Sequence, residues 1–243
     1  MAFYDNFLDD SHRLVRDTCR RFAETEILPH AHEWEEAESF PKSLYKTAGD
    51  AGILGGHFPV EVGGAGGGAL HMVVGIEGLM HGGSTGVVVG LGIAGISLPP
   101  IIQSRKEALL ERYVRPAIAG DLVASLCITE PGTGSDVAAV STRARRDGDQ
   151  FIVNGSKLFI TSGVVADAYS TLVRTGEHPH QGLSFLVIDR DTPGVSVSRS
   201  LKKTGWRASD TAEIAFEDVR VPESHLLGSE GSGFVTLMRN FQT

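Results

Sequence analysis

Apolar residues recur at three- and four-residue spacing along the first half of the chain, which predicts a run of helices. The first helix is predicted from Ser11 to about Glu36, and Pro29 is expected to kink or end it. Its apolar face consists of Leu14, Val15, Cys19, Phe22 and Ala23. Near the end of this half, Ser104 and Glu107 have the spacing of a capping box, which predicts a helix start there.

The segment from Met72 to Ile102 is the most apolar part of the sequence. Its glycines, together with Glu77 and His81, interrupt it more often than is expected of a membrane helix. We therefore predict two buried helices and no membrane span. The break is expected at Gly82 and Gly83, with Ser84 as the N-cap of the second helix.

From Leu122 onward the pattern changes to short runs typical of strands. Residues 143–146 and 150–153 predict a hairpin around Asp147 and Gly148, and Asn154-Gly155 predicts a second turn. Further strands are predicted over residues 169–174, 183–189, 195–198 and 212–216. An apolar run of helical character, residues 234–241, follows and predicts the first turns of another helix.

These elements predict an α+β chain in three parts. An all-helical N-terminal domain is expected over residues 1–121, and an antiparallel β-barrel or sandwich over residues 122–231. Residues 232–243 are expected to begin a truncated C-terminal helical domain, because an amphipathic helix at the chain's end lacks a partner for its apolar face.

Chemistry is concentrated in the stretch from Cys127 to Ala139, which reads C-I-T-E-P-G-T-G-S-D-V-A-A. Pro131, Gly132 and Gly134 cannot continue a strand or a helix, so they predict a tight loop with exposed backbone N–H groups. Such a loop can hydrogen-bond an anion or a planar polar ligand. Phe159 and Thr161 lie two residues apart on a predicted strand, which places a ring and a hydroxyl on one face.

Composition narrows the possible partners. The net charge of −8 argues against binding to nucleic acid or to an acidic membrane surface. Cys19 and Cys127 are the two cysteines and are expected to be reduced thiols in a cytoplasmic protein, and the N-terminus shows no secretory signal. His178 and His180 have no accompanying carboxylate or cysteine cluster, so no metal site is predicted.

The loop sequence closely resembles the signature loop of acyl-CoA dehydrogenases, and N-G-S-K-L-F-I-T-S-G, from Asn154, resembles their second flavin segment. F-E-D-V-R-V-P followed by L-L-G-S-E-G-S-G-F resembles the exit from their β domain. F-P-V-E-V-G-G-A-G, from Phe58, resembles their N-terminal glycine loop. The resemblance extends over essentially the whole chain in the same order.

The resemblance implies an FAD enzyme of fatty acid β-oxidation that converts an acyl-CoA thioester to the trans-2-enoyl-CoA. A glutamate removes the α-proton in that family, and the β-hydrogen leaves as hydride to flavin N5. Electrons then pass to an electron-transferring flavoprotein, and the full-length protein is expected to be a homotetramer, a dimer of dimers. Two alternatives stay open: an oxidase or flavin monooxygenase on the same fold, and a short non-catalytic homologue acting as a partner subunit.

By the same resemblance, eight positions are expected to contact the flavin. Phe159 would pack on the isoalloxazine where the family commonly has Trp, and Thr161 would bond near N5. Ser135 would also approach the CoA chain. No catalytic residue is expected in this chain, because the family's general-base glutamate would lie beyond Thr243. The eight positions are Leu126, Ile128, Thr129, Gly134, Ser135, Phe159, Ile160 and Thr161.

Overall fold

The computed structural model describes the backbone of residues 3–241 and the side chains of residues 5–241, so the last two residues of the predicted third part lie outside it. Helices come first in the chain, as predicted. They are α1 (Asp10–Phe22), α2 (Ala31–Ala37), α3 (Ser43–Asp50), α4 (Ala69–Met80), α5 (Thr85–Leu91), α6 (Ala94–Ser97), α7 (Pro99–Ser104), α8 (Glu107–Leu109) and α9 (Arg115–Ile118). Single π-helical turns follow α1 and α8, at Ala23–Ile27 and Leu110–Val114.

Strands follow from residue 124 and end before a last helix, α10 (Gly233–Asn240). The strands are β1 (Ala124–Cys127), β2 (Arg143–Asp147), β3 (Gln150–Thr161), β4 (Ala168–Arg174), β5 (Leu183–Asp189), β6 (Val195–Val197), β7 (Thr211–Pro222) and β8 (Leu226–Leu227). They form one mostly antiparallel sheet in the order β6-β7-β3-β2-β4-β5-β8, and β1 pairs in parallel with β4. The predicted α+β class, helical and then antiparallel β, is confirmed.

Two compact units divide the chain without following its order. The first unit contains Met1–Gly92, Ile118–Asp121 and Lys203–Ser209, and the second contains Ile93–Ala117, Leu122–Lys202 and Asp210–Thr243. Helices α6 to α8 therefore cluster with the strands, although the sequence predicts a domain boundary after residue 121. In the second unit, for example, the Ser170 hydroxyl on β4 donates to the Ser97 carbonyl of α6 over 2.8 Å.

Within the first unit, α1 and α4 run in parallel and approach closely. Gly75 lies beside Val15 and Cys19, and Gly78 lies farther along, beside Arg16 and Cys19. A Cβ on Gly78 would stand 2.5 Å from the Arg16 carbonyl oxygen, so this helix contact requires glycine.

The segment Thr85–Ser104 has the length and hydropathy of a membrane-crossing helix, with a mean hydropathy of 1.9. The structure divides it into α5, α6 and α7, and 56% of its most apolar window is buried inside the protein. The predicted break at Gly82 and Gly83 is confirmed, and Ser84 caps α5 by accepting a hydrogen bond from Val87 N–H over 3.1 Å.

The first predicted helix is interrupted at residues 28–30, around Pro29 as predicted: α1 continues into the π-helical turn Ala23–Ile27, and α2 resumes at Ala31. Two local predictions were wrong. Ser104 ends α7 and donates its hydroxyl to the Ile101 carbonyl, so it does not cap the next helix. Asn154-Gly155 is not a turn, because β3 continues through it with an irregularity in its pairing to β7.

Replacing Gly78 with Ala should destabilise the first unit. The added methyl would collide with the Arg16 backbone, and overpacking of this kind costs about 1–3 kcal/mol of unfolding free energy. Gly205→Ala is the matched control, because a Cβ there meets no atom within 4 Å. Urea unfolding of both variants tests the prediction, and equal midpoints would contradict it.

Candidate functional site

The two segments singled out from the sequence lie side by side in the second unit. One is the end of β1 with the loop that follows it, residues 127–139, and the other is the distal half of β3, residues 156–161. The Leu158 N–H donates to the Thr129 carbonyl over 2.8 Å, and the Ser125 hydroxyl donates to the Thr161 carbonyl. The structure therefore brings together the elements that carry the eight predicted residues.

A buried ion pair locks the two segments together. The Lys157 ammonium lies 2.8 Å from a Glu130 carboxylate oxygen, and the two side chains are 0% and 3% exposed. Lys157 also donates to the Ile128 carbonyl over 3.0 Å. A buried charge of this kind requires a partner and further hydrogen bonds, and both are present.

The Glu130 carboxylate is fully engaged on its other side as well. It accepts from the Ser141 N–H at 2.8 Å, the Ser141 hydroxyl at 2.6 Å and the Thr142 N–H at 2.9 Å. It thereby connects the start of the loop to the residues just before β2. This geometry fixes the start of the loop.

Burial alone would raise the pKa of the Glu130 carboxyl. The charge of Lys157, with the hydrogen bonds from Lys157, Ser141 and Thr142, outweighs burial and lowers that pKa from 4.5 to about 2. Burial lowers the pKa of the Lys157 ammonium, and the attraction of Glu130 opposes that shift. A carboxylate this weakly basic is unsuited to abstracting a proton from a carbon acid.

The loop itself projects its backbone outward. Glu130 and Thr133 exchange backbone hydrogen bonds of 2.9 and 3.1 Å, which closes a tight turn. Pro131, Gly132, Gly134 and Ser135 are all exposed. A Cβ on either glycine would meet no protein atom within 4 Å, so the side of the loop bearing those positions is open to a ligand.

Phe159 lies at a bulge and not on a regular strand. The pairing of β3 with β7 shifts between Lys157 and Ile160, and Phe159 has a φ of 59°. Its ring is 62% exposed, whereas Ile160 is 2% exposed. The extra residue turns the ring outward, so the period-two argument used for Phe159 and Thr161 does not describe the local geometry.

The remaining predicted positions fall into two groups. Ile160 is buried in the core, so its side chain does not reach the open surface beside the loop. The others are partly or fully accessible. Leu126, Ile128, Thr129 and Thr161 are half-buried, and Gly134 and Ser135 are exposed.

Sequence reasoning missed two residues that shape this region. The sequence-based prediction gives Lys157 no role, although a lysine inside a buried strand indicates a carboxylate partner. Asp210 accepts from the Val164 N–H at 2.6 Å, and its own carbonyl accepts from the Ser162 N–H at 2.9 Å. These bonds hold the turn after Thr161, where Ser162 has a φ of 57°, and no local pattern signals them.

Comparison with known proteins agrees with this geometry. Residues 9–121 match the family model for the acyl-CoA dehydrogenase N-terminal domain, and residues 125–219 match the model for the middle domain. The chain belongs to the acyl-CoA dehydrogenase family. The N-terminal model ends and the middle-domain model begins close to the change from helical to strand pattern in the sequence.

Several family members resemble the chain over nearly all of its length. The short-chain specific acyl-CoA dehydrogenase of Rattus norvegicus is 35% identical over 96% of this chain and 57% of its own. The long-chain specific enzyme of Mus musculus is 36% identical over 94% and 54%. A Mycobacterium smegmatis glutaryl-CoA dehydrogenase, solved in complex with FADH2, has a TM-score of 0.90 and 30% identity, over 99% and 61%. The chain thus spans a little over half the length of these relatives.

Breaking the buried pair should destabilise the second unit strongly. Glu130→Gln leaves the Lys157 charge buried without its partner, which costs about 3–5 kcal/mol of unfolding free energy at neutral pH. Because the folded-state pKa of Glu130 is lowered, its contribution is present above pH 4.5 and is lost as the pH falls toward 2. The stability gap between wild type and variant should therefore narrow over that range in urea titrations.

The matched control for this pair is Glu177→Gln. Glu177 forms an exposed ion pair with Arg143, at 3.0 Å, and its loss should cost no more than about 1 kcal/mol. A stability gap for Glu130→Gln that stayed constant with pH, or that matched this control, would contradict the assignment.

Proposed function

We propose that this chain forms the N-terminal and middle parts of an FAD-dependent acyl-CoA dehydrogenase. The observation that carries the proposal is the Glu130–Lys157 pair, which fixes an open, amide-bearing loop beside a strand with an outward-facing aromatic ring. A flat heteroaromatic ring system can stack on Phe159 and meet hydroxyls and amides at its edge. The family membership supports the same reading.

The residues of this chain would hold and orient the cofactor. Leu126, Ile128 and Thr129 would line the flavin, and Phe159 would stack on it. Thr161 would hydrogen-bond near N5, and Ser135 would approach both the flavin and the CoA chain. FAD, when bound, supplies the acceptor for the hydride that leaves the β-carbon.

The residues of this chain would contribute to the chemistry by positioning the acyl chain and by keeping Glu130 from acting as the base. Holding the acyl chain against the flavin edge is a proximity effect that lowers the barrier without any new covalent bond. Glu130 cannot take the α-proton, because four donors occupy its oxygens and its pKa is lowered to about 2. We propose that the base is a glutamate located beyond Thr243 in the full-length protein.

The wider cellular role follows from the same proposal. Electrons would pass to an electron-transferring flavoprotein, and the full-length protein would assemble as a dimer of dimers in the cytoplasm. The relatives named for short-chain and long-chain substrates are 35% and 36% identical, so the comparisons favour neither acyl length. An assay should therefore use a series of acyl-CoA substrates.

The decisive experiment uses the full-length gene product. The purified protein should show flavin absorbance, and one acyl-CoA of the series should bleach that absorbance under anaerobic conditions. Slow reoxidation by air, with fast reoxidation by an electron-transferring flavoprotein, supports the dehydrogenase. Rapid reoxidation by air would favour an oxidase or monooxygenase, and a protein without flavin would overturn the proposal.

Removing the Phe159 ring tests the stacking role. Phe159→Ala should weaken FAD binding by about three- to tenfold, the value of one aromatic contact. It should leave the fold intact, because the ring is 62% exposed. Phe7→Ala is the control, since that ring is 69% exposed at the start of the chain. Fluorescence titration with FAD gives both dissociation constants, and equal values would refute the stacking role.

A further inference from the structure

Two histidines and an aspartate meet at the beginnings of α1 and α4 in the first unit. His12 is the third residue of α1, and His71 is the third residue of α4. Their rings stack with centroids 3.9 Å apart. Asp9, the N-cap of α1, places a carboxylate oxygen 2.6 Å from His12 Nδ1.

The parallel packing of the two helices produces this meeting. Gly75 and Gly78 let α4 lie against Val15, Arg16 and Cys19 of α1, so both helices begin at the same end of the contact. Residues three positions into each helix are then neighbours. The cluster is therefore a consequence of tertiary packing and not of a local sequence motif.

We propose that Asp9, His12 and His71 bind a divalent first-row transition metal ion, with Zn²⁺ as a representative. One ligand atom from each residue lies within 4.8 Å of the other two. A tetrahedral Zn²⁺ site places its ligand atoms about 3.4 Å apart, so small side-chain rotations suffice to form it. Two imidazoles and one carboxylate suit Zn²⁺, and water completes the coordination.

The surrounding hydrogen bonds define what the ion would replace. The Ser11 hydroxyl lies 3.0 Å from His71 Nε2 and 2.6 Å from Asp9 Oδ1, and thus bridges two of the ligands. His71 Nδ1 accepts from the Gly68 N–H over 3.1 Å. When a metal ion binds His71 Nε2, the neutral ring carries its proton on Nδ1. Nδ1 can then no longer accept from the Gly68 N–H. Gly68 is exposed, so water can take the place of the lost acceptor.

Two neighbouring carboxylates are already paired with arginines. Asp10 pairs with Arg13 at 3.4 Å, and Asp5 pairs with Arg16 at 2.8 Å. The Asp9 side chain is 68% exposed and the His12 side chain is 13% exposed, which leaves a path from solvent to a mostly sheltered site. A bound ion would tie the start of α1 to the start of α4 and stabilise the first unit by linkage.

Metal binding is tested by titrating the chelator-treated protein with Zn²⁺ in a calorimeter, and with Co²⁺ in a spectrophotometer. We expect one Zn²⁺ per chain, a tetrahedral Co²⁺ absorption band and a rise in Tm with Zn²⁺. His12→Gln and His71→Gln should each weaken Zn²⁺ binding by at least about tenfold, since loss of even an outer-shell partner has that effect. Glutamine at this helix position can keep the capping-box acceptor, so the helices stay capped.

Two more variants make the result decisive. Asp9→Ser retains an N-cap oxygen but removes the carboxylate, and should also weaken binding. His178→Gln changes a second histidine pair, whose ring centroids are 6.2 Å apart and outside the cluster, and should leave Zn²⁺ binding unchanged. Absence of stoichiometric Zn²⁺ binding overturns the proposal, as does binding that survives the His12, His71 and Asp9 substitutions. None of these readouts depends on flavin or on turnover.

Discussion

The ion pair between Glu130 and Lys157 is the constraint on which the candidate site depends. A lysine ammonium with no exposure would be intolerable in a sheet core without a carboxylate beside it. The carboxylate is itself held by Ser141 and Thr142, so three stretches of chain converge on one charge. A pair of this kind adds little net stability over an apolar replacement, but loss of either partner leaves a buried charge uncompensated. The pair thereby fixes the position of the loop relative to β3.

This constraint explains why the loop can be open and still ordered. Its ends are fixed by buried polar contacts, so the exposed residues between them need not pack against the protein. Ligand contacts are then available without the entropic cost of ordering a free loop. The bulge at Phe159 also makes a ligand contact available, because the backbone irregularity turns a large apolar ring away from the core.

In the first unit, the close packing of α4 against α1 fixes the position of the polar residues, as the ion pair does in the second unit. Gly78 permits a helix contact that a Cβ would forbid, and the contact sets the relative position of two helix starts. His12 and His71 each cap the start of their own helix, and this local role explains each residue by itself. Their proximity is explained only by the packing of α1 against α4, and it turns two separate caps into one polar cluster.

Much of the chain could be predicted from the sequence by itself. The change of period near Leu122, the hairpin between β2 and β3, the strand β5 and the cap at Ser84 all depend on local patterns, and the structure contains them. Asn154-Gly155 was misread because an Asn-Gly pair is a strong local turn signal. The long pairing of β3 with β7 overrides that signal by absorbing Gly155, at a φ of 146°, as an irregularity in the strand.

The sequence by itself determined the order of helices and strands, the open loop and the family, because these reside in local spacing and in recognisable motifs. Only the tertiary structure decided that Lys157 would meet Glu130, that Asp210 would hold the turn after Thr161, and that Asp9, His12 and His71 would cluster. Apart from the local Asp9–His12 cap, each of these contacts joins residues far apart in the chain. Their partners are selected by burial and packing geometry, which no local pattern encodes.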